Sequence, residues 1–361
     1  MSVGSNKSNN VEAASETIAA SPSPKGGSLA LSPSMAARDL LPRGAIGETN
    51  GMLSLAGPGD FFALMKPRVM SLVVFTAWAG LVMAPGSLPL WKAIASILCI
   101  AAGAGASGAL NMWYDADIDA QMSRTKKRPV PQGLIKPRGA LGFGVIVGLA
   151  SIWGLYIASN IVAATLLAFT IFFYVVIYTM WLKRNTPQNI VIGGAPGALP
   201  PMIGWAAVTG DITLASVSLF LIIFLWTPPH FWALALYKTG DYEKVGIPMM
   251  PNVAGPKSTR NQMLVYTLIL AVICALPIIT GIAGALYGFV AVVLNMGFIA
   301  LALKVWKSRA GETPESSDES SLYAVKLGDR AARNMFAFSI IYLFAIFGVL
   351  AAESLLNGSL L

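Results

Sequence analysis

The stretch Asn111-Met-Trp-Tyr-Asp115-Ala-Asp117-Ile-Asp119 places an amide and three carboxylates at the end of an apolar run. On a helix turning about 100° per residue, Asn111, Asp115 and Asp119 fall within an arc of about 80° on one face. Asp117 points to roughly the opposite side. Oxygen donors stacked at i, i+4 and i+8 suit a hard cation such as Mg²⁺, which takes oxygen ligands and usually binds together with substrate phosphates. Like charges on one face are unfavourable unless a cation or a basic partner compensates them. The basic residues that follow, Arg124, Lys127 and Arg128, are placed to neutralise a diphosphate. Asp115 and Asp119 are therefore catalytic candidates, and with Asn111 they form a candidate metal-ligand set. A plainer reading, that acids and bases mark a water interface, explains one Asp better than this spaced set.

A second acidic stretch, Tyr237-Lys238-Thr-Gly-Asp241-Tyr242-Glu243-Lys244, suggests Asp241 as a further metal ligand and Lys238 as a group acting on the leaving diphosphate. As an isolated loop it reads equally well as ordinary polar surface. Its interest lies in falling on the same membrane side as the first stretch, so that two acidic clusters could face one diphosphate. His230 is the one histidine, set between Pro228-Pro229 and Phe231-Trp232. A lone histidine near a membrane interface is often a hydrogen-bonded structural residue, and aromatic belts account for interfacial Trp and Tyr.

The elements that must hold these residues are membrane helices. The 361-residue chain is 55% hydrophobic and 12% charged, with a mean hydropathy of +0.66. Soluble domains carry roughly a quarter charged residues, so lipid is the expected solvent. Hydropathy marks nine spans, at 67–85, 89–114, 139–158, 161–182, 188–208, 212–237, 263–283, 285–304 and 336–356. Pro196, Pro200, Pro201 and Pro277 interrupt the fifth and seventh. The small residues of Gly103-Ala-Gly105-Ala-Ser-Gly108 would let the second span pack closely on a partner. The fold expected is an all-α polytopic membrane protein with about nine transmembrane helices around a central, lipid-embedded cavity.

Lysine and arginine recur in every second loop: Arg124 to Arg138, then Lys183 and Arg184, then Lys238 to Arg260, then Lys304 to Arg333. The loops between these carry none, although Lys92 lies just inside the second span. With nine spans, all the basic loops and the N-terminus share one side, which the positive-inside rule makes cytoplasmic. The net charge of +8 is thus distributed along membrane loops, which argues against a nucleic-acid partner. Residues 1–58, rich in Ser, Ala, Gly, Pro and Asn, are expected to form a disordered tail before a transmembrane domain over 59–361. Glu12 and Glu16 precede the first arginine, Arg38, which argues against a mitochondrial transit peptide. Two cysteines, Cys99 and Cys274, both in apolar stretches, allow neither a disulfide framework nor a Cys/His metal cluster.

At these residues the sequence resembles the UbiA superfamily of intramembrane prenyltransferases, and within it the haem O synthase (protohaem IX farnesyltransferase) family. The superfamily's first aspartate-rich motif matches Asn111, Asp115 and Asp119, and the narrower pattern matches Asp119-x-x-Met122-x-Arg124-Thr125-x-x-Arg128-Pro129. Further similar stretches are Tyr178-Thr-Met-Trp-Leu-Lys183-Arg184, Asn189-Ile-Val-Ile-Gly193-Gly194, Pro200-Pro201-x-x-Gly204-Trp205, Thr227-Pro-Pro-His230-Phe-Trp232 and Asp241-Tyr242 running into Gly246-Ile-Pro248-Met249. The likeness covers roughly residues 60 to 355. One departure is plain: where many members pair two aspartates four apart, Asp241 is followed here by Glu243 and Val245.

The resemblance implies transfer of a farnesyl group from farnesyl diphosphate to a vinyl group of haem B, giving haem O, with Mg²⁺ as cofactor. It implies Asn111, Arg124, Lys127, Arg128, Lys183 and Arg184 as diphosphate contacts, and His230, Tyr178 and Trp232 as porphyrin-side residues. It also implies a bacterial inner-membrane location (with the mitochondrial inner membrane as the alternative) and a downstream haem-modifying membrane enzyme as a partner. Another prenyltransferase of the superfamily, with an aromatic acceptor from quinone or chlorophyll synthesis, would share the metal site. A secondary transporter is the rival of a different class. Transporters place ionisable groups near the bilayer midplane, whereas the acids here cluster at span ends.

Overall fold

The computed structural model describes residues 56–238, 243–313 and 319–358, and all regular structure among them is helical. Two helices, α1 (Pro58–Leu64) and α2 (Pro67–Met83), form a bent pair, with an angle of 65° between Pro58–Leu64 and Val69–Met83. Next come α3 (Leu90–Tyr114), the short α4 (Ala116–Gln121), α5 (Pro137–Ala158) and α6 (Ile161–Phe172). The remaining spans are α7 (Asn189–Thr209), α8 (Leu214–Tyr237), α9 (Gly255–Ile279), α10 (Ala285–Trp306) and α11 (Glu319–Leu356). Eight helices among the described residues are long and apolar enough to cross a membrane, and the bent pair makes a ninth if it counts as one span. The protein is a multi-span membrane protein.

Two differences from the hydropathy reading have local causes, and one span holds as read in spite of its prolines. The fourth span does not remain an α-helix: from Phe173 to Leu182 it widens into a π-helix. The sixth span, α8, runs through Pro228 and Pro229 without ending, as a membrane helix can when other groups take up the freed carbonyls. The carbonyls so freed are those of Phe224 and Leu225, and just before them the Thr227 hydroxyl adds a bond to the Ile223 carbonyl at 2.8 Å. The last helix starts at Glu319 rather than near residue 336, because Lys326, Asp329, Arg330 and Arg333 depress hydropathy without breaking the helix. In α7 the prolines do act as breaks, dividing the span into Asn189–Gly193, Ala195–Ala198 and Pro200–Thr209.

Burial sorts the helices into an inner and an outer set. In α7 and α8, 78% and 67% of the apolar window is buried, against 22% for the span that starts at Ile161. Outer helices instead present Trp153, Val272 and Phe289 to the surroundings, as lipid-facing helices do. At the centre, α2 and α7 touch backbone to backbone. A Cβ on Gly80 would overlap the Pro201 carbonyl, and one on Gly204 the Ala77 carbonyl. The small-residue face of α3 closes on the α1–α2 junction as its composition suggests, with Gly105 against Met65 and Gly108 against the Leu64 carbonyl.

At the opposite end of α10, the buried Glu353 of α11 caps the helix start. Its carboxylate accepts from the amides of Gly284 (2.9 Å), Leu286 (3.2 Å) and Tyr287 (3.3 Å). An anion there also meets the positive end of the helix dipole.

Candidate active site

The amide–carboxylate face lies where α3 hands over to α4. Asp115 sits between them at φ −88° and ψ 13°, yet the ladder continues. The Asp115 amide donates to the Asn111 carbonyl at 2.9 Å, and the Asp119 amide to the Asp115 carbonyl at 2.8 Å. The i, i+4, i+8 stack therefore survives the joint. Asn111, Asp115 and Asp119 are all buried, whereas the Asp117 side chain is 30% exposed on another face.

Cations from three other segments converge on this face. Lys183, at the end of the π-helical span, pairs with Asp115 Oδ2. Arg128, from the loop after α4, meets Asp119 Oδ2 at 2.6 Å. Arg184 reaches Asp115 Oδ1 at 3.5 Å and grips Asp117 with both terminal nitrogens, at 3.0 and 2.9 Å. It also lies 4.9 Å from the centre of the Tyr114 ring. Burial pushes the Asp117 carboxyl up, but the Arg184 hydrogen bonds more than offset this and hold it below the ordinary aspartate value. Asn111 joins three parts of the site: its amide nitrogen donates to Asp115 Oδ2 (2.7 Å) and Thr179 Oγ1 (3.1 Å), and its oxygen accepts from Lys66 Nζ at 2.6 Å.

The π-helical turn sets the register of this wall. Thr179 donates to the Tyr174 carbonyl five residues back, at 2.8 Å, while facing Asn111. Single-turn π segments are frequent at functional sites, and here the wide turn extends over ten residues. Gly193 of α7 allows Tyr178 to lie flat against it, since a Cβ there would overlap the Tyr178 ring. Below the polar cluster opens a cavity of about 130 Å³, lined by Lys66, Val73, Ile100, Leu167, Tyr174 and Ile203 among others. Its lining is apolar apart from Lys66, Ser107, Thr170 and Tyr174.

Other sequence candidates fall elsewhere. Arg124 and Lys127 are exposed in the loop after α4, and Lys238 is exposed at the end of α8. Asp241 lies outside the described residues. Trp232 is fully buried against Tyr266 of α9, their rings 5.6 Å apart, so the structure gives it a core position. His230 is stacked between Trp226 (4.2 Å) and Phe336 (4.6 Å), and its Nδ1 lies 2.6 Å from Ser339 Oγ. The Ser339 hydroxyl already donates to the Phe336 carbonyl at 2.6 Å, so Nδ1 is the donor and Nε2 keeps its lone pair. Lys66, Thr179 and Tyr174 were not singled out by motif reading; a hydroxyl or phenol in an apolar run carries no signal of its own.

A metal fits the α3–α4 face in donor chemistry. Asp115 Oδ1 is buried without a hydrogen-bond partner, and the set is all oxygen. Among the described residues no three His, Cys, Asp or Glu side chains converge, so substrate oxygens would have to complete the shell.

Comparison with known proteins agrees with this geometry. Residues 72–322 match the UbiA prenyltransferase family. The chain belongs to that family. Among similar family members, the protoheme IX farnesyltransferase of Maricaulis maris is 58% identical over 301 residues, covering 83% of this chain and 91% of that protein. The protoheme IX farnesyltransferase of Agrobacterium fabrum is 58% identical over 311 residues, 86% and 94% of the two chains. Solved structures share the UbiA fold. A digeranylgeranylglyceryl phosphate synthase aligns with a TM-score of 0.66 at 16% identity, over 82% of this chain and 98% of that one. A UbiA homologue from Archaeoglobus fulgidus, bound to GPP and Mg²⁺, aligns at 0.54 and 17% identity, over 79% and 99%. This UbiA-family chain is a prenyltransferase.

Proposed function

We propose that the protein transfers the farnesyl group of farnesyl diphosphate to a vinyl group of haem B, giving haem O for terminal oxidase maturation. The observation that carries this reading is the 58% identity to protoheme IX farnesyltransferases along nearly their whole length. The site supports it, because the charged cluster adjoins a mainly apolar cavity through Lys66, which lines the cavity and bonds Asn111.

Asn111, Asp115 and Asp119 would hold Mg²⁺, with Asp241 as a further candidate outside the described residues. When bound, that ion neutralises charge on the diphosphate and makes it a better leaving group. Lys183, Arg184 and Arg128 add fixed positive charge where negative charge develops, as Lys238, Arg124 and Lys127 would from the exposed loops. The allylic C–O bond then breaks with its electron pair leaving on the diphosphate. The vinyl π pair forms the new C–C bond, and water adds to the resulting cation and loses a proton. The apolar walls keep water from the farnesyl cation before that addition. Tyr178, backed by Gly193, and the Nε2 lone pair of His230 are the groups we assign to the porphyrin side.

The chain is further assigned to a bacterial inner membrane, with the α4–α5 and α8–α9 loops cytoplasmic, a folded domain over 59–361 and a tail before it. Residues 1–55 of that tail lie outside the described residues. A partner that modifies haem further would receive the product. The test is incubation of purified protein with haem B, farnesyl diphosphate and Mg²⁺, followed by mass analysis of the haem. A product heavier by farnesyl plus hydroxyl is expected. Diphosphate release with unmodified haem would point to another acceptor and overturn the assignment.

A further inference from the structure

We propose that Lys66 is a further substrate-binding residue, its ammonium contacting the diphosphate end of the isoprenoid where the apolar cavity opens onto the Asn111–Asp115 cluster. This inference rests on the prenyl-diphosphate reading above.

Lys66 is the one non-glycine residue with a positive φ among the described residues, at φ 53° and ψ 60°. Left-handed backbone brings Cβ of an L-residue close to the following carbonyl, and a lysine has no local hydrogen bond to offset that cost. Such strain persists where the surroundings over-determine it, often at ligand sites. The surroundings here are explicit. Gly105 and Gly108 of α3 admit Met65 and Leu64 against the helix, fixing the α1–α2 junction. Pro67 then starts α2. The result is a lysine turned inward, lining the cavity with its amine 2.6 Å from Asn111 Oδ1.

Its charge is the feature that points to an anion. Arg128, Lys183 and Arg184 each pair with a carboxylate of the cluster. Among the described residues no carboxylate lies within ion-pair distance of Lys66, whose single polar partner is a neutral amide. Arg128 and Lys183 are close enough to act on it electrostatically, and so, in the opposite sense, are Asp119 and Asp115. An anion placed against Lys66 would meet an amine with no carboxylate partner of its own, beside two cations that a Mg²⁺ taking up Asp115 and Asp119 would release. A ligand with a highly charged head and an apolar tail matches that arrangement: the head takes the cations, and the tail descends past Val73, Ile100 and Leu167. A point charge with three rotatable donors suits a phosphate that must later depart.

Binding of inorganic diphosphate and of farnesyl diphosphate, each with Mg²⁺, should be measured by calorimetry on the detergent-purified full chain, beside thermal melting. Lys66→Met, which keeps the stem and removes the charge, should melt like the parent and bind both ligands at least tenfold more weakly. Lys66→Arg should stay within a few-fold. The KM for farnesyl diphosphate should rise with Lys66→Met, while uncharged farnesol binds as before. A folded Lys66→Met protein with unchanged diphosphate affinity would overturn the proposal and leave the function standing. A parent protein that binds no farnesyl diphosphate would overturn both. If Lys66→Met does not fold, amine-selective labelling of the parent decides: diphosphate with Mg²⁺ should protect Lys66 severalfold, and equal labelling would refute the contact.

Discussion

Asp115, with Lys183 on one oxygen and Arg184 3.5 Å from the other, and Asp119, paired with Arg128, are buried, whereas Asp117 is a half-exposed partner of Arg184. Neutralising either buried carboxylate should therefore cost on the order of a hundredfold or more in farnesyl transfer, while membrane insertion is retained. Asp117→Asn should cost about tenfold at most, since it loosens Arg184 without removing a donor from the shared face. Turnover assays on Asp115→Asn, Asp119→Asn and Asp117→Asn check the ranking, and equal losses would sink the face argument. Because the folded Asp117 carboxyl lies below its ordinary value, its contribution to stability is present at neutral pH. That contribution fades only as pH falls below the unfolded value of about 4 and through the folded one. The shared face was legible because helical period alone determines which residues align. The inward turn of Lys66 was not, because a left-handed lysine depends on α3 packing against the junction rather than on its neighbours in sequence.

The π-helical segment carries the information that periodicity cannot supply. An apolar run such as 161–182 reads as one helix whether its carbonyls bond four or five residues on, and here the fivefold spacing brings Thr179 to Asn111. Thr179→Val keeps the shape and removes the hydroxyl that receives the Asn111 amide. It should lower turnover roughly tenfold with melting changed by about 1 kcal/mol or less. A Thr179→Val enzyme with normal kcat/KM would mean the π turn serves packing only. Most spans were readable from hydropathy to within a few residues, α7 nearly to the residue, with the starts of α9 and α11 the exceptions. The misreadings came where polar residues continue a helix, as in α11, or where a short element such as α1 precedes a break.

At the scale of the whole molecule, the alternation of basic loops predicts that reporter fusions in the 124–138 loop and at the C-terminus give opposite sidedness. Matching signals would mean that one of the spans between them, α5 through α11, does not cross the membrane. The Glu353 cap has a consequence for how the molecule is made. The first turn of α10 is completed by a side chain of α11, so an inserting α10 holds unpaired amides until α11 arrives beside it. The two helices should therefore be stable only as a hairpin, and α10 alone should be a substrate for membrane quality-control proteases. A chain ended at Leu350 loses none of the proposed substrate-binding groups, yet should accumulate in membranes severalfold less than the full chain. Glu353→Ala should melt lower by on the order of 2–3 kcal/mol, with Glu353→Gln milder because it keeps an acceptor. Immunoblot abundance and melting in detergent measure both, and a Leu350-terminated chain that accumulates normally would show that α10 reaches its place unaided.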